Sequence, residues 1–225
     1  MILRDTTNTR AVPIEVVREH PKSRRIQTVQ QGTNAKLIAT AQKLYPMAGA
    51  VCDLTYGKGA FWSAFRPDDL SYINPIHNPD FDFRDTWWSD DTFDHVVFDP
   101  PYVAPGGRNT SKLADFNARY GMHHTERTPN AQWLVIGEGL REAARIVKPK
   151  GLVWFKCMDY VSSGRVHWFT KEALNLLASR GLELEDEFIL AGRPGPQPSK
   201  NPDGSDRRQV HAARSHSSLM IARKR

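Results

Sequence analysis

A run of four residues, Asp99-Pro100-Pro101-Tyr102, closes the apolar stretch Asp94-His95-Val96-Val97-Phe98. Two consecutive prolines fix the backbone and lack the N–H groups that would extend a strand ladder, so a strand must end there. A carboxylate, backbone carbonyls and an aromatic ring are thereby held on a rigid turn at a strand's carboxyl end. Ligands of open α/β sheets bind at that edge. Such a set can accept hydrogen bonds from a polar group and stack on a flat ring. Upstream, the short apolar run Ala50-Val51-Cys52-Asp53-Leu54 leads into Thr55-Tyr56-Gly57-Lys58-Gly59. Glycines directly after a strand let the chain turn sharply and leave room for a ligand.

Strands and helices must position these two turns. Residues 33–45 carry Leu37, Ile38, Ala41, Leu44 and Tyr45 at helical spacing, and Pro46 ends that helix. A strand at 50–54, a short helix at Ala60-Phe61-Trp62, and strands at 70–73 and 94–98 follow. Residues 131–147 form a helix stopped by Pro149-Lys150-Gly151, and 152–158 read as a buried strand. Thr170 is placed to cap a helix to about Arg180, closed by Gly181. Residues 183–190 and 217–222 are strands with no helix between them, which predicts an antiparallel pair at a sheet edge. Strands alternating with helices predict a mostly parallel sheet with helices on both faces. Residues 1–31 lack strong periodicity and read as a basic N-terminal arm. Residues 32–225 read as one domain with loop insertions at about 103–130 and 191–216.

The chain has 225 residues, with 31 Lys+Arg against 25 Asp+Glu, for a net charge of +6. A 40% apolar share beside 25% charged residues fits a globular protein and argues against a disordered one. No apolar run is long enough to span a bilayer, and the N-terminus has no apolar signal core. Cys52 and Cys157 sit in separate strand-like runs, which excludes a disulfide scaffold and a zinc ribbon. A reducing, cytoplasmic setting is therefore the expectation. His123-His124 has no third ligand at a useful spacing, so no metal is expected. A nicotinamide dinucleotide fingerprint requires a third glycine where Trp62 stands, and no Walker loop is present. The positive charge admits a nucleic-acid partner.

An Asp-x-x-x-Gly-x-Gly turn followed by Asp-Pro-Pro-Tyr resembles the amino-methyltransferases, which use S-adenosylmethionine to methylate exocyclic amines of nucleic-acid bases. The resemblance covers roughly residues 33–222. It implies a Rossmann-like methyltransferase fold, α/β, with a mostly parallel seven-stranded sheet and a reversed C-terminal hairpin. It also implies S-adenosylmethionine as cofactor and DNA as partner. In that likeness Asp53, Thr55, Gly57 and Gly59 shape the methionine end of the cofactor pocket, and Asn34 approaches the amino-acid moiety. The family normally has an acid after the second strand for the ribose hydroxyls. This chain reads Tyr72-Ile73-Asn74 there, which leaves Asn74 as the substitute. Asp82, with Asp85 as rival, stands where an acid would meet the cofactor's adenine amine, and Phe83 would border that ring.

The same resemblance assigns Asp99, Pro100, Pro101 and Tyr102 to catalysis. The lone pair of an exocyclic amine is delocalised into its ring. Asp99 would accept one amino hydrogen and the Pro100 carbonyl the other, which localises the lone pair. Tyr102 would stack on the base, and a duplex would have to present that base flipped out. Positioning and electrostatics would supply most of the acceleration, with no metal. Adenine N6 is the first expectation. Cytosine N4 follows, since those enzymes more often carry Ser in place of Asp99. RNA guanine N2, protein glutamine and an inactive nucleic-acid-binding module are the remaining alternatives. The basic segment 193–214 and the loop 103–130 are candidates for phosphate contacts.

Overall fold

Alternation along each strand decides which layer a side chain enters. Val96, Phe98, Val153, Phe155 and Cys157 join one buried cluster, while Val97, Leu152 and Trp154 join another on the opposite face. A sheet apolar on both faces must be covered on both. The computed structural model describes residues 25–74, 80–101, 128–162, 164–192, 203–206 and 208–225.

The elements are β1 (Val29–Gln31), α1 (Asn34–Ala41), β2 (Val51–Asp53), a 3-10 turn (Ala60–Trp62), β3 (Leu70–Tyr72) and β4 (Phe93–Phe98). Then come α2 (Pro129–Ile146), β5 (Val147–Cys157), β6 (Tyr160–Ser162), β7 (Arg165–His167), α3 (Phe169–Ser179), β8 (Leu182–Ala191) and β9 (His216–Lys224). Seven strands form one sheet in the order β1-β8-β9-β5-β4-β2-β3, and β6-β7 form a separate hairpin. Only β9 runs against its neighbours in the large sheet; it pairs antiparallel with β5 and with β8. The mostly parallel seven-stranded α/β sheet with an antiparallel C-terminal hairpin is thus present, its last strand alone being reversed. Helix α1 and the 3-10 turn contribute Leu37, Ile38, Phe61 and Trp62 to one face. Helices α2 and α3 contribute Ile136, Leu140, Ala173 and Leu177 to the other. Fully burying a ring such as Phe98 or Phe155 contributes about 2–3 kcal/mol each.

Three local expectations are corrected. The β8–β9 pair is not the sheet edge, because Val29–Gln31, inside the expected N-terminal arm, pairs parallel with β8. That strand is short and polar, and its identity comes from a partner far away in sequence. Thr170 does not cap α3. The cap position is Trp168, without a side-chain bond, and the Thr170 amide and hydroxyl both donate to Asp159 Oδ1 at 2.9 Å. A carboxylate outside the helix satisfies the first turn in its place. Finally, β5 starts at Val147 and passes through Pro149-Lys150-Gly151, with Lys150 at φ +66°. No described helix is long and apolar enough to cross a membrane.

Candidate active site

The chain leaves β2 outward to β3 and later returns to lay β4 on the other side of β2. The carboxyl ends of β2 and β4 therefore flank the switch point of the sheet, where open α/β folds form their ligand crevice. Asp53 ends β2, and Asp99 follows β4 directly. Lys156 lies at the same level of β5, one residue past the Phe98–Phe155 pair. The sheet register thus brings two acids and a lysine from three adjacent strands to one edge.

Asp53 is 2% exposed. Its Oδ1 accepts from the Thr55 amide at 2.8 Å and from the Thr55 hydroxyl at 3.3 Å. Its Oδ2 accepts from the Trp62 indole at 2.7 Å. Burial pushes this carboxyl up to about 7; the Thr55 and Trp62 hydrogen bonds oppose that shift, and the neighbouring Asp99 charge adds to it. Trp62, which breaks the dinucleotide pattern, thus serves as a donor to the acid of the glycine turn.

Thr55 joins the two motifs. Its hydroxyl accepts from the Asp99 amide at 2.8 Å. The Asp99 side chain is 23% exposed, and its Oδ1 lies 3.4 Å from Lys156 Nζ, whose side chain is buried. Pro100 and Pro101 are both buried, and the Pro101 carbonyl accepts from the side-chain amide of Gln132 on α2. Gln132 is fully buried, and its Oε1 has no hydrogen-bond partner among the described residues. The diproline corner therefore follows directly on the buried Phe98 and is braced from one side by α2. Tyr102 lies outside the described residues, as do residues 103–127 of the expected loop and 193–202 of the basic segment.

The glycine turn has the backbone its composition requires. Gly57 and Gly59 sit at φ +54° and +70°, where side chains with a Cβ are strained. A Cβ on Gly59 would lie 2.6 Å from the Tyr56 hydroxyl, whereas one on Gly57 would meet nothing closer than the Thr55 carbonyl at 3.8 Å. The Tyr56 ring stacks on Tyr72 at 4.0 Å, and its hydroxyl accepts from Arg66 at 2.9 Å. Asn34 is the first residue of α1, after the Thr33 cap, and is half-buried.

The acids expected around a cofactor adenine have partners of their own or face solvent. Asp82 accepts from the Arg84 amide and guanidinium and is ion-paired with it at 2.6 Å. Asp85 is exposed on the following turn. Phe83 is a core residue rather than a crevice wall: it is 4% exposed and packs 5.3 Å from Phe98. The apolar ring gains more from burial against α2 than from an open edge. Asn74 is buried just past β3. The Thr55 bridge, the Trp62–Asp53 bond, the Lys156–Asp99 pair and the Gln132 brace are contacts that spacing does not reveal. Their one sequence signal is the concentration of polar residues at strand carboxyl ends.

No family model matches this chain, and no curated protein matches it in sequence. Solved structures do match. A protein of Bacillus halodurans C-125, provisionally described as a methyltransferase, aligns with a TM-score of 0.48 at 14% identity over 85% of this chain and 98% of its own. A Thermotoga maritima S-adenosylmethionine-dependent methyltransferase aligns with a TM-score of 0.44 at 13% identity, over 85% and 88%. A Thermus thermophilus protein, provisionally described as a DNA modification methylase, aligns with a TM-score of 0.39 at 11% identity, over 78% of this chain and 54% of its own. At these identities the likeness is one of fold.

Proposed function

We propose that this chain transfers the methyl group of S-adenosylmethionine to an exocyclic amine of a base in DNA, with adenine N6 as the first choice. One observation carries the reading. Asp99 stands on a braced diproline corner at the sheet's switch point, joined through a single hydroxyl to the acid of the glycine turn.

The crevice residues fit the cofactor. Open space above Gly57 admits a ligand close to the backbone. The Asp53 and Asp99 carboxyl groups supply hydrogen-bond acceptors at this edge, and Lys156 balances the Asp99 charge. Asp53, Thr55, Gly57 and Gly59 would hold the methionine end, Asn34 would approach its amino-acid group, and Asn74 would take the ribose side. Asp82 could meet the cofactor's adenine amine only by sharing its carboxylate with Arg84. Bound there, S-adenosylmethionine supplies an electrophilic methyl group.

The chain's own residues then act on the acceptor. Asp99 accepts one amino hydrogen, and the Pro100 carbonyl accepts the second. The nitrogen turns pyramidal and its lone pair points along the line of attack; once methylated, it would release one proton through Asp99 to solvent. Tyr102 stacks on the base. The acceptors are fixed in place before the reaction, so little reorganisation accompanies it. The test is incubation with methyl-labelled cofactor and mixed-sequence DNA, followed by nucleoside mass spectrometry. Labelled N6-methyldeoxyadenosine supports the reading, labelled N4-methyldeoxycytidine moves the target base, and the absence of any labelled nucleoside contradicts it.

A further inference from the structure

Among the described residues, the cations at the two edges of the sheet differ in their partners. At the amino edge several are paired with acids, although Lys150 and Arg180 form no ion pair among the described residues. Arg145 is held by Glu142 and Asp90, Lys148 by Asp94, Arg223 by Glu185, and Lys224 by Asp91. At the carboxyl edge, beyond the Lys156–Asp99 pair, the pattern reverses. Arg165 on the β6–β7 hairpin, Lys171 at the start of α3, and Arg208 and Arg214 before β9 form no ion pair among the described residues. Arg165, Lys171 and Arg208 are exposed, and the Nε of Arg214 is buried without a hydrogen-bond partner among the described residues.

These groups form one surface. His211 Nε2 lies 2.9 Å from the Gly164 carbonyl, which ties the segment before β9 to the hairpin. The Trp168 ring, 40% exposed, has Lys171 Nζ at 4.4 Å and the Arg214 guanidinium at 4.5 Å from its centroid. An aromatic face holds a cation without neutralising its charge. Of the acids near these cations, Asp159 accepts from Thr170 and Asp203 from Ser205, and Asp206 stands two residues before Arg208. Glu172, on the same turn of α3, forms no ion pair with the cluster. A lysine in the first turn of a helix also opposes the helix dipole. Cations that stay on an aromatic face with no ion pair among the described residues are open to an anionic occupant.

We infer that Lys171 and Arg214, held on Trp168, with Arg165 and Arg208 on the two segments that His211 and Gly164 tie together, form a basic lip that binds the phosphate backbone of the strand carrying the target base. The inference rests on the proposed DNA reading and adds to it the surface that holds the strand. The distance is suitable. The path from Lys156 to Asp159, across its hydrogen bond to Thr170 and back to Trp168, puts the backbone of Trp168, the centre of this basic lip, within roughly 30 Å of Asp99. A few nucleotides on one side of a base in the crevice span that gap.

The experiment titrates a fluorescent DNA oligonucleotide with the full chain at several salt concentrations, and measures methylation of the same DNA. The wild type is compared with the double variant Lys171→Gln plus Arg214→Gln, the double variant Arg165→Gln plus Arg208→Gln, and the amino-edge control Arg225→Gln. Each double variant should bind roughly tenfold more weakly and lower the slope of log K against log salt by about 1.4–1.8, as expected when two phosphates are no longer neutralised. The control should match the wild type. DNA that is methylated and bound with an unchanged slope in both double variants overturns the lip and spares the proposed activity. Slopes that fall in a protein that methylates no base support the lip and reject the activity. Wild-type protein that binds the oligonucleotide without salt dependence also overturns the lip. Folding of each variant is checked by its thermal melt, and a single Lys171→Gln, with half the slope change, decides the matter if a double variant fails to fold.

Discussion

The Asp99 amide donates to the Thr55 hydroxyl at 2.8 Å, and that hydroxyl lies 3.3 Å from Asp53 Oδ1. One small side chain thus couples the acid of the glycine turn to the acid of the diproline corner across the sheet's switch point.

Thr55→Val keeps the β-branched shape and removes this bridge. The Asp99 amide is then left without its acceptor. Unfolding free energy should fall by about 1–2 kcal/mol. Methyl transfer should slow at least tenfold in kcat, and Thr55→Ser should recover most of both effects. Urea melts and single-turnover rates check this. A Val variant as fast as the wild type would separate the bridge from the chemistry.

Asp53 makes stability depend on pH with an unusual sign for an acid. Its native value, about 7, stands above the ordinary 3.8. A raised acid stabilises the fold fully below the unfolded value, and that contribution is lost as pH rises through the native one. Between pH 5 and 8 the wild type should lose roughly 2.5 kcal/mol relative to Asp53→Asn. The amide's poorer match to the Trp62 indole is the same at every pH and drops out of the comparison. Urea midpoints of both proteins across that range measure the slope. A difference independent of pH would mean that Asp53 is already ionised in the native state at pH 5.

Gly139 lets α2 approach the rings beneath the site. A Cβ there would lie 2.3 Å from Phe98 Cζ and 2.8 Å from Phe83 Cδ2. These are packed rings rather than the ends of flexible chains. Gly139→Ala should therefore destabilise by about 1–3 kcal/mol despite its better helix propensity. A thermal melt unchanged from wild type would show that α2 can shift without cost.

Lys156 is a buried ammonium whose carboxylate partner, Asp99, keeps some contact with water. Lys156→Met fills the same space without charge. Stability should fall by about 1–3 kcal/mol, since the largely covered Asp99 loses its cation while its remaining contact with water limits the cost. The kcat should fall tenfold or more with little change in cofactor Kd, because Asp99 loses the group that orients it. Unchanged kcat would make Lys156 a structural residue only.

Part of this architecture is legible in the residues. The strands with continuous apolar runs, the glycine turn and the diproline stop are readable, because local composition alone decides them. Asp53 and Asp99 fall at strand ends for the same reason. Val29–Gln31 is not readable, since three mostly polar residues become a strand only through β8. The role of Asp159 at α3 is equally hidden, because Thr170 is a good local cap and the carboxylate arrives eleven residues earlier in the chain. Phe83 departs from expectation for a similar reason. An aromatic beside an acid resembles a ring-binding pair until Gly139 opens a core site for it. Contacts among Thr55, Trp62, Lys156 and Gln132 depend on strand register and helix packing, which no local pattern encodes.

The central claim is that Asp99 activates the acceptor amine and does not hold the cofactor. Wild-type and Asp99→Ala proteins should be compared for cofactor Kd by calorimetry and for transfer of labelled methyl to DNA by nucleoside mass spectrometry. The account predicts cofactor affinity within a few-fold of wild type and no detectable methylated base. An alanine variant that methylates DNA at a near-normal rate would contradict it.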